Sequence, residues 1–320
     1  MKRLPLLGLV TVLTLVLALG AIAGCGTGQN AASAGNSAAA GNAPKKGPII
    51  KVSSKTFTEA ELLGQMTYDY LKYLGYPVEN KIDLGEIAVI RPALTSGQID
   101  LYWEYTGTGV ETLMHHAPVY NSQESYDLIK NWDAKNGIDW LDYAPLNDTY
   151  GIVVRPDIAR KYNLKTISDY VNLVKKGVHL KFVGFPEWDG RADGLPAFEK
   201  AYNFTMPKQD LVNVAMGLGY DTLKAKKGDL MIANTTDAGI VADKFDLLQD
   251  NLHAFPVYNP CPVVREQIVK AYPTLPGDLK KLSSLLDTPT ITGLNKQVDV
   301  DKKSIETVSS DFLKSKGLIK

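Results

Sequence analysis

The 320-residue sequence predicts an α/β protein with strands in a largely parallel sheet. Three observations carry that expectation. From residue 49 onward, short apolar runs alternate with segments of helical period. Glycines fall where the helical segments end. A helix–strand–turn pattern at 92–109, PALTSGQIDLYWEYTGTG, is echoed loosely at 221–239, DTLKAKKGDLMIANTTDAG. One echo makes no repeat array, but it predicts two similar lobes, and the length suits two lobes of roughly 100–150 residues each. At 45% hydrophobic and 22% charged, the chain can bury a core.

The elements follow in order. Met1-Lys2-Arg3 is a short positive start, and the 21 residues from 4 to 24 carry no charge. They end in Ile22-Ala23-Gly24-Cys25, which resembles the lipobox of bacterial lipoproteins. That resemblance implies a signal peptide over 1–24 and a lipidated Cys25. The same stretch is long enough to be a retained anchor helix. Stable attachment through lipid takes more than one acyl chain. Residues 25–48 are mostly Gly, Ala, Ser and Asn, the composition of a flexible tether. A strand is expected at 49–52. Thr58-Glu59-Ala60-Glu61 reads as a capping box with Thr58 as N-cap. Leu62, Leu63, Met66, Tyr70, Leu71 and Leu74 continue at helical spacing until Gly75. A second helix is expected at 88–96, ending at Gly97, then a strand at 99–103 and a Thr-Gly turn at 106–109. From Val263 onward the pattern is mainly helical, with Ile305, Val308, Phe312 and Leu313 on one face.

Charge and motif content exclude several function classes. Lys plus Arg and Asp plus Glu both total 35, and loss of residues 1–24 would remove only Lys2 and Arg3, leaving 33 against 35. No basic footprint favours nucleic acid. Nucleotide-binding glycine loops, the nucleophile elbow and the H-E-x-x-H zinc motif are absent from the sequence. Thr106-Gly107-Thr108-Gly109 lacks the lysine and spacing of a phosphate loop. His115 and His116 are adjacent, which points them apart on a helix, and they read as a solvated pair rather than metal ligands. Cys261, between two prolines, reads as a small buried residue. An enzyme acting on a small amine would need a nucleophile, metal or cofactor signature, and none stands out; no cofactor is expected.

What remains is a set of tyrosines in polar turns: Tyr105, Tyr150 and Tyr258. A half-buried ring with a satisfied hydroxyl would account for any one alone. Together with SKTFTEAELL (54–63), LTSGQIDLYWEYTGTG (94–109), APLNDTYGIVVR (144–155), RADGLPAFEKAYNF (191–204), TTDAGI (235–240), FPVYNPCPVVR (255–265) and FLKSKGLIK (312–320), they resemble the glycine betaine/choline/carnitine substrate-binding proteins of ABC importers. The resemblance covers 49–320. It implies a two-lobed, type II periplasmic-binding-protein-like fold with two interlobe crossings: lobe 1 at 49–148 plus 259–320, lobe 2 at 149–258. It also implies a small zwitterionic or quaternary ammonium ligand, ABC permease subunits as partners, a lipid anchor at the outer face of the bacterial cytoplasmic membrane, and no enzymatic activity.

Carried over by position, the resemblance puts Tyr105, Tyr150 and Tyr258 in an aromatic cage and gives Asp148 the task of lending it negative potential. Lys55, Thr108 and Arg191 fall where the acid end of the ligand is held. This suits the chemistry. A trimethylammonium group donates no hydrogen bond, so ring faces hold it at roughly 0.5–2 kcal/mol each, while a carboxylate favours Arg, Lys or a hydroxyl. Asn234 stands where the family presents a further aromatic. Either three tyrosines suffice, with Trp103 or Trp188 completing the cage, or the ligand is another polar zwitterion, such as an amino-acid derivative or thione-betaine, admitted by Asn234.

Overall fold

A computed structural model describes residues 42–190, 194–215 and 218–320 of the chain. Ten strands form two five-stranded sheets. β1 (Ile50–Ser53), β2 (Val78–Lys81), β3 (Leu101–Tyr105) and β4 (Ile138–Trp140) belong to the first sheet. β5 (Tyr150–Val154), β6 (Phe182–Gly184), β7 (Leu211–Asn213), β8 (Leu230–Asn234) and β9 (Asp246–Leu248) build the second, and β10 (Pro260–Arg265) returns to the first.

The strand orders are β2-β1-β3-β10-β4 and β7-β6-β8-β5-β9. In each, the first three strands run parallel and the fourth is antiparallel to both neighbours. The two sheets thus share one topology, and the echoed segments supply the equivalent central strands β3 and β8. Each sheet is mixed rather than wholly parallel, because β5 and β10, the first strands after the two crossings, run against both of their neighbours.

The chain passes between sheets twice, after β4 and after β9. The two crossings are tied to one another. Asp148 N–H donates to Tyr258 C=O (3.1 Å), Tyr258 N–H donates to Asn147 Oδ1 (2.7 Å), and Thr149 Oγ1 donates to Pro256 C=O (2.5 Å).

Local details depart from the sequence reading in places. Helix α1 (Thr58–Tyr73) starts one residue earlier than a Thr58 cap requires: Phe57 is its N-cap, and no side chain caps it. Thr58 Oγ1 instead donates to Asp299 Oδ1 at 2.6 Å. Helix α2 (Ile87–Ser96) ends at Gly97, whose φ of 79° is the left-handed turn that glycine permits. Gln98 and Ile99 fold back onto Ala93 C=O, so β3 begins two residues later than expected and takes in Glu104 and Tyr105. The Thr-Gly turn is itself helical, Thr106–Thr108 leading into a wider turn at Gly109–Leu113.

Alternation along β3 splits its side chains between two cores. Trp103 packs against Leu63, Met66, Leu294 and Phe312, between α1 and the C-terminal helices. Its Nε1 donates to Thr67 Oγ1 at 2.8 Å. Tyr102 packs on the opposite face with Ile90, Leu94 and Ile129. Cys261 is buried there too, as the small residue the sequence suggests. In the second lobe, Phe182, Trp188 and Phe198 stack with centroids 5.7–6.3 Å apart.

Candidate functional site

Parallel sheets gather ligands at the carboxyl ends of their strands, and the polar residues of interest lie along those edges. In the first lobe, Lys55 follows β1, Glu59 sits in the first turn of α1, and Glu104 and Tyr105 close β3. Lys55 is buried and its ammonium is paired with Glu104 Oε1. Glu104 also accepts from Tyr102 Oη (3.1 Å) and Tyr105 N–H (2.8 Å). The Lys55 nitrogen lies 5.2 Å from the Tyr105 ring centroid. Tyr105 Oη donates to Glu59 Oε1 at 2.7 Å.

Glu59 and Asp148 form an acidic pair that the lobes meet around. Asn295 Nδ2 reaches Glu59 Oε2 (3.3 Å) and Thr236 C=O (3.1 Å), and Thr236 Oγ1 donates to Asp148 Oδ1 (2.8 Å). Asn295 belongs to the helix Thr288–Asp299, whereas Thr236 follows β8 in the second lobe. Burial is the main cause that raises Glu59 to about 8. The Asp148 charge adds to it, and hydrogen bonds from Tyr105, Thr236 and Asn295 oppose it. Burial likewise raises Asp148 to about 6 against the Thr236 hydrogen bond. Tyr105 is pushed well above the usual phenol range by burial and then by Glu59 and Asp148.

Tyr258 reaches the same edge from the second crossing. Its ring lies over Gly107, and its hydroxyl donates to Glu111 Oε1 at 2.8 Å. Thr108 is half-buried in the helical turn that follows Tyr105.

The second lobe contributes a cavity of about 430 Å³. Tyr150, Phe185, Tyr220, Asn234 and Asp237 line it, along with small apolar residues of the same lobe. Tyr150 and Asn234 are register partners across β5 and β8. Tyr150 also packs edge-on against Phe255, with centroids 6.1 Å apart.

The expected site residues therefore fall into groups. Lys55, Tyr105 and Asp148 converge through Glu104, Glu59 and Thr236. Tyr258 and Thr108 flank Gly107. Tyr150 and Asn234 face the cavity of the second lobe. Arg191 and Cys25 lie outside the described residues. Trp103 and Trp188 are both wholly buried within the cores, so their rings are committed to packing rather than to a cage wall. Sequence reading missed Glu59, which looked like part of a capping segment. It also missed Asn295, Tyr220 and Asp237; only Asp237 lay in a quoted motif. Among the described residues, no cluster of His, Cys, Asp or Glu is arranged to hold a metal, and no helix is long and apolar enough to cross a membrane.

Two α/β lobes of one topology, joined by two crossings, with aromatic and acidic side chains gathered where the strands end, define a solute-binding protein of the type II periplasmic fold. The chain belongs to the OpuAC family, the substrate-binding domain of ABC-type glycine betaine transport systems, whose model matches residues 48–315. It is 36% identical over 279 residues to the glycine betaine-binding protein YehZ of Escherichia coli K12, covering 85% of this chain and 92% of that protein. It is 31% identical to the ergothioneine transport permease/ergothioneine binding protein EgtU of Helicobacter pylori G27, over 83% of this chain and 47% of that protein. The solved structure of apo YehZ from E. coli superposes with a TM-score of 0.78 at 36% identity, covering 85% of this chain and all of that one.

Proposed function

We propose that this protein captures a betaine-like quaternary ammonium compound (glycine betaine, proline betaine, carnitine or choline) between lobe 1 (49–148 plus 259–320) and lobe 2 (149–258), and delivers it to ABC permease subunits. The observation that carries this reading is the wall made by Tyr105, Glu59 and Asp148. It joins a ring face to two buried acids, and Lys55, the cation whose charge acts on Asp148, is already paired with Glu104. A permanent cation that cannot donate a hydrogen bond matches such a wall, by ring-face attraction and by the Asp148 charge, and its arrival would favour the ionised form of Glu59. Tyr150 and Tyr258 complete the cage in this reading, while Thr108, Arg191 and Lys55 serve the acid end of the ligand. Cys25 carries the lipid that holds the protein at the outer face of the cytoplasmic membrane, with 25–48 as the expected tether. That tether is cut short at its far end, because residues 42–48 are held to the first lobe: Asn42 N–H donates to Tyr73 C=O, Lys45 N–H donates to Gly75 C=O and the Lys45 ammonium pairs with Asp278.

Calorimetric titration with the four compounds tests the reading. At least one should bind, and Tyr258→Ala should weaken it by about 2- to 30-fold, the worth of roughly 0.5–2 kcal/mol for one ring. Binding of none of the four would overturn it. A second reading, a different zwitterion or amino-acid derivative, is favoured by Asn234 and Asp237 lining the cavity. The name of the relative EgtU, an ergothioneine binding protein, points the same way.

A further inference from the structure

The point where the two lobes meet is short of hydrogens. The donors around Glu59 and Asp148 are the Tyr105 hydroxyl, the Asn295 amide and the Thr236 hydroxyl. Tyr105 Oη donates to Glu59 Oε1, Asn295 Nδ2 serves both Glu59 Oε2 and Thr236 C=O, and Thr236 Oγ1 donates to Asp148 Oδ1. The acceptors are two carboxyl groups, the Thr236 carbonyl and Asn295 Oδ1. That last oxygen is buried and has no hydrogen-bond partner among the described residues. Glu59 is 3% exposed and Asn295 5%, so water does not make up the difference freely.

Positive charge is equally scarce there. Asp148 faces Glu59 from the first crossing, Tyr105 and Glu104 from β3, Lys55 from the turn after β1, and Asp237 from the turn after β8. Two residues along α1, Glu61 faces Asp83, Asp299 and Glu306. Lys55 is the one cation of this set among the described residues, and its ammonium is held by Glu104. Two acids on either side of one hydroxyl, without a free counter-charge, do not readily ionise together. Glu59, wholly enclosed, is the one that keeps a proton at neutral pH: burial and then the Asp148 charge raise it to about 8. Asp148, on the less enclosed side, rises only to about 6 and is mostly charged there.

We propose that Glu59 is a charge-switching residue of the interlobe site: it holds a proton while the site is empty and releases it to solvent when a quaternary cation settles against Tyr105 and Asp148. Its O–H bond breaks, the electron pair stays on the carboxylate, and the Tyr105 hydroxyl and Asn295 amide already point at the oxygens that become charged. Capture and proton release are then one event. The inference rests on the betaine reading for the position of the cation. A group protonated in the free protein and ionised in the complex makes affinity rise with pH, by at most about tenfold per pH unit, and the rise ends once the free protein has itself lost the proton.

The test is calorimetric titration of the purified protein with glycine betaine, proline betaine, carnitine and choline, none of which exchanges a proton of its own near neutral pH. Titrations at about pH 7 in phosphate and in Tris, whose ionisation enthalpies differ, count the protons. A compound that binds should release about 0.5–1 proton, and its affinity should rise about 3- to 10-fold between about pH 6.5 and 7.5. Glu59→Gln cannot ionise, so both the release and the pH slope should vanish. Tyr105→Phe keeps the ring but removes a donor to the ionised carboxylate, so the pH at which affinity levels off should move up. Binding with no proton release and a flat pH profile would overturn the role of Glu59 and leave the betaine reading intact. Release that persists in Glu59→Gln would also overturn it. If that variant does not fold, Tyr105→Phe decides, and an unmoved pH profile there overturns the assignment. Binding of none of the four overturns both.

Discussion

Lys55 shows how far a single residue's setting can differ from what its type suggests. As a sequence feature it is a cation suited to a carboxylate ligand. In the fold it is buried and held by Glu104, which Tyr102 and the Tyr105 amide also grip. Glu104→Ala would leave the ammonium buried without a counter-charge, and a cost of about 3–5 kcal/mol is expected in urea unfolding. Glu104→Gln, which keeps an acceptor, should cost less; equal losses would show that packing rather than charge sets the value. Gly107 is the second informative residue. A Cβ there would lie 2.5 Å from Tyr258 Cδ1 and 2.6 Å from Val257 C=O. Gly107→Ala should therefore cost roughly 1–3 kcal/mol by overpacking, and should weaken ligand binding by displacing the Tyr258 ring. Unchanged stability and affinity would show that the ring has room to move. Neither constraint is visible in the sequence, since the partners of Lys55 and Gly107 lie far along the chain.

Among elements, the helix Thr288–Asp299 matters more than its distance in sequence from the tyrosines suggests. It carries Asn295 to Glu59 and Thr236, linking α1 to the segment after β8. Its N-cap is Asp287, whose carboxylate accepts from Thr290 N–H at 2.8 Å. Asp287→Ala should lower stability by about 1 kcal/mol, read as a shift in urea midpoint without a change in slope; no shift would mean that tertiary packing alone holds that end. The existence of β1, α1, α2 and β3 was legible because apolar period and glycine stops are local, whereas β2, with its polar sequence VENK, gave no such signal. The start of α1 was not legible either. Thr58 has the right residue type and spacing for a capping box, but its hydroxyl is taken by Asp299 from the far end of the chain.

For the whole molecule, the acidic pair predicts how stability responds to pH. Glu59 rises from 4.5 to about 8 and Asp148 from 3.8 to about 6. Between the ordinary and raised values, the folded protein holds protons that the unfolded chain has released. These groups therefore favour the folded state most at low pH, and their contribution is lost as pH rises through about 6 and then about 8. Thermal melts should show the wild-type protein losing stability over that interval more steeply than Glu59→Gln, which cannot ionise. Equal slopes would remove Glu59 as the cause. The shared topology of the two sheets also belongs to this scale. The loose echo at 92–109 and 221–239 hinted at it, and the matching strand orders give it physical form.

The sequence by itself determined the α/β class, the family, and a first set of site residues with Tyr105, Tyr150, Tyr258 and Asp148 among them, because apolar period, glycine stops and motif order are local properties of the chain. Only the tertiary structure decided what those residues touch. It committed Trp103 and Trp188 to the cores, paired Lys55 with Glu104, and brought Glu59, Asp148, Thr236 and Asn295 to one buried point. It also placed Asn234 beside Asp237 at the cavity. Burial and charge proximity arise only when distant segments meet, and no window of sequence contains them.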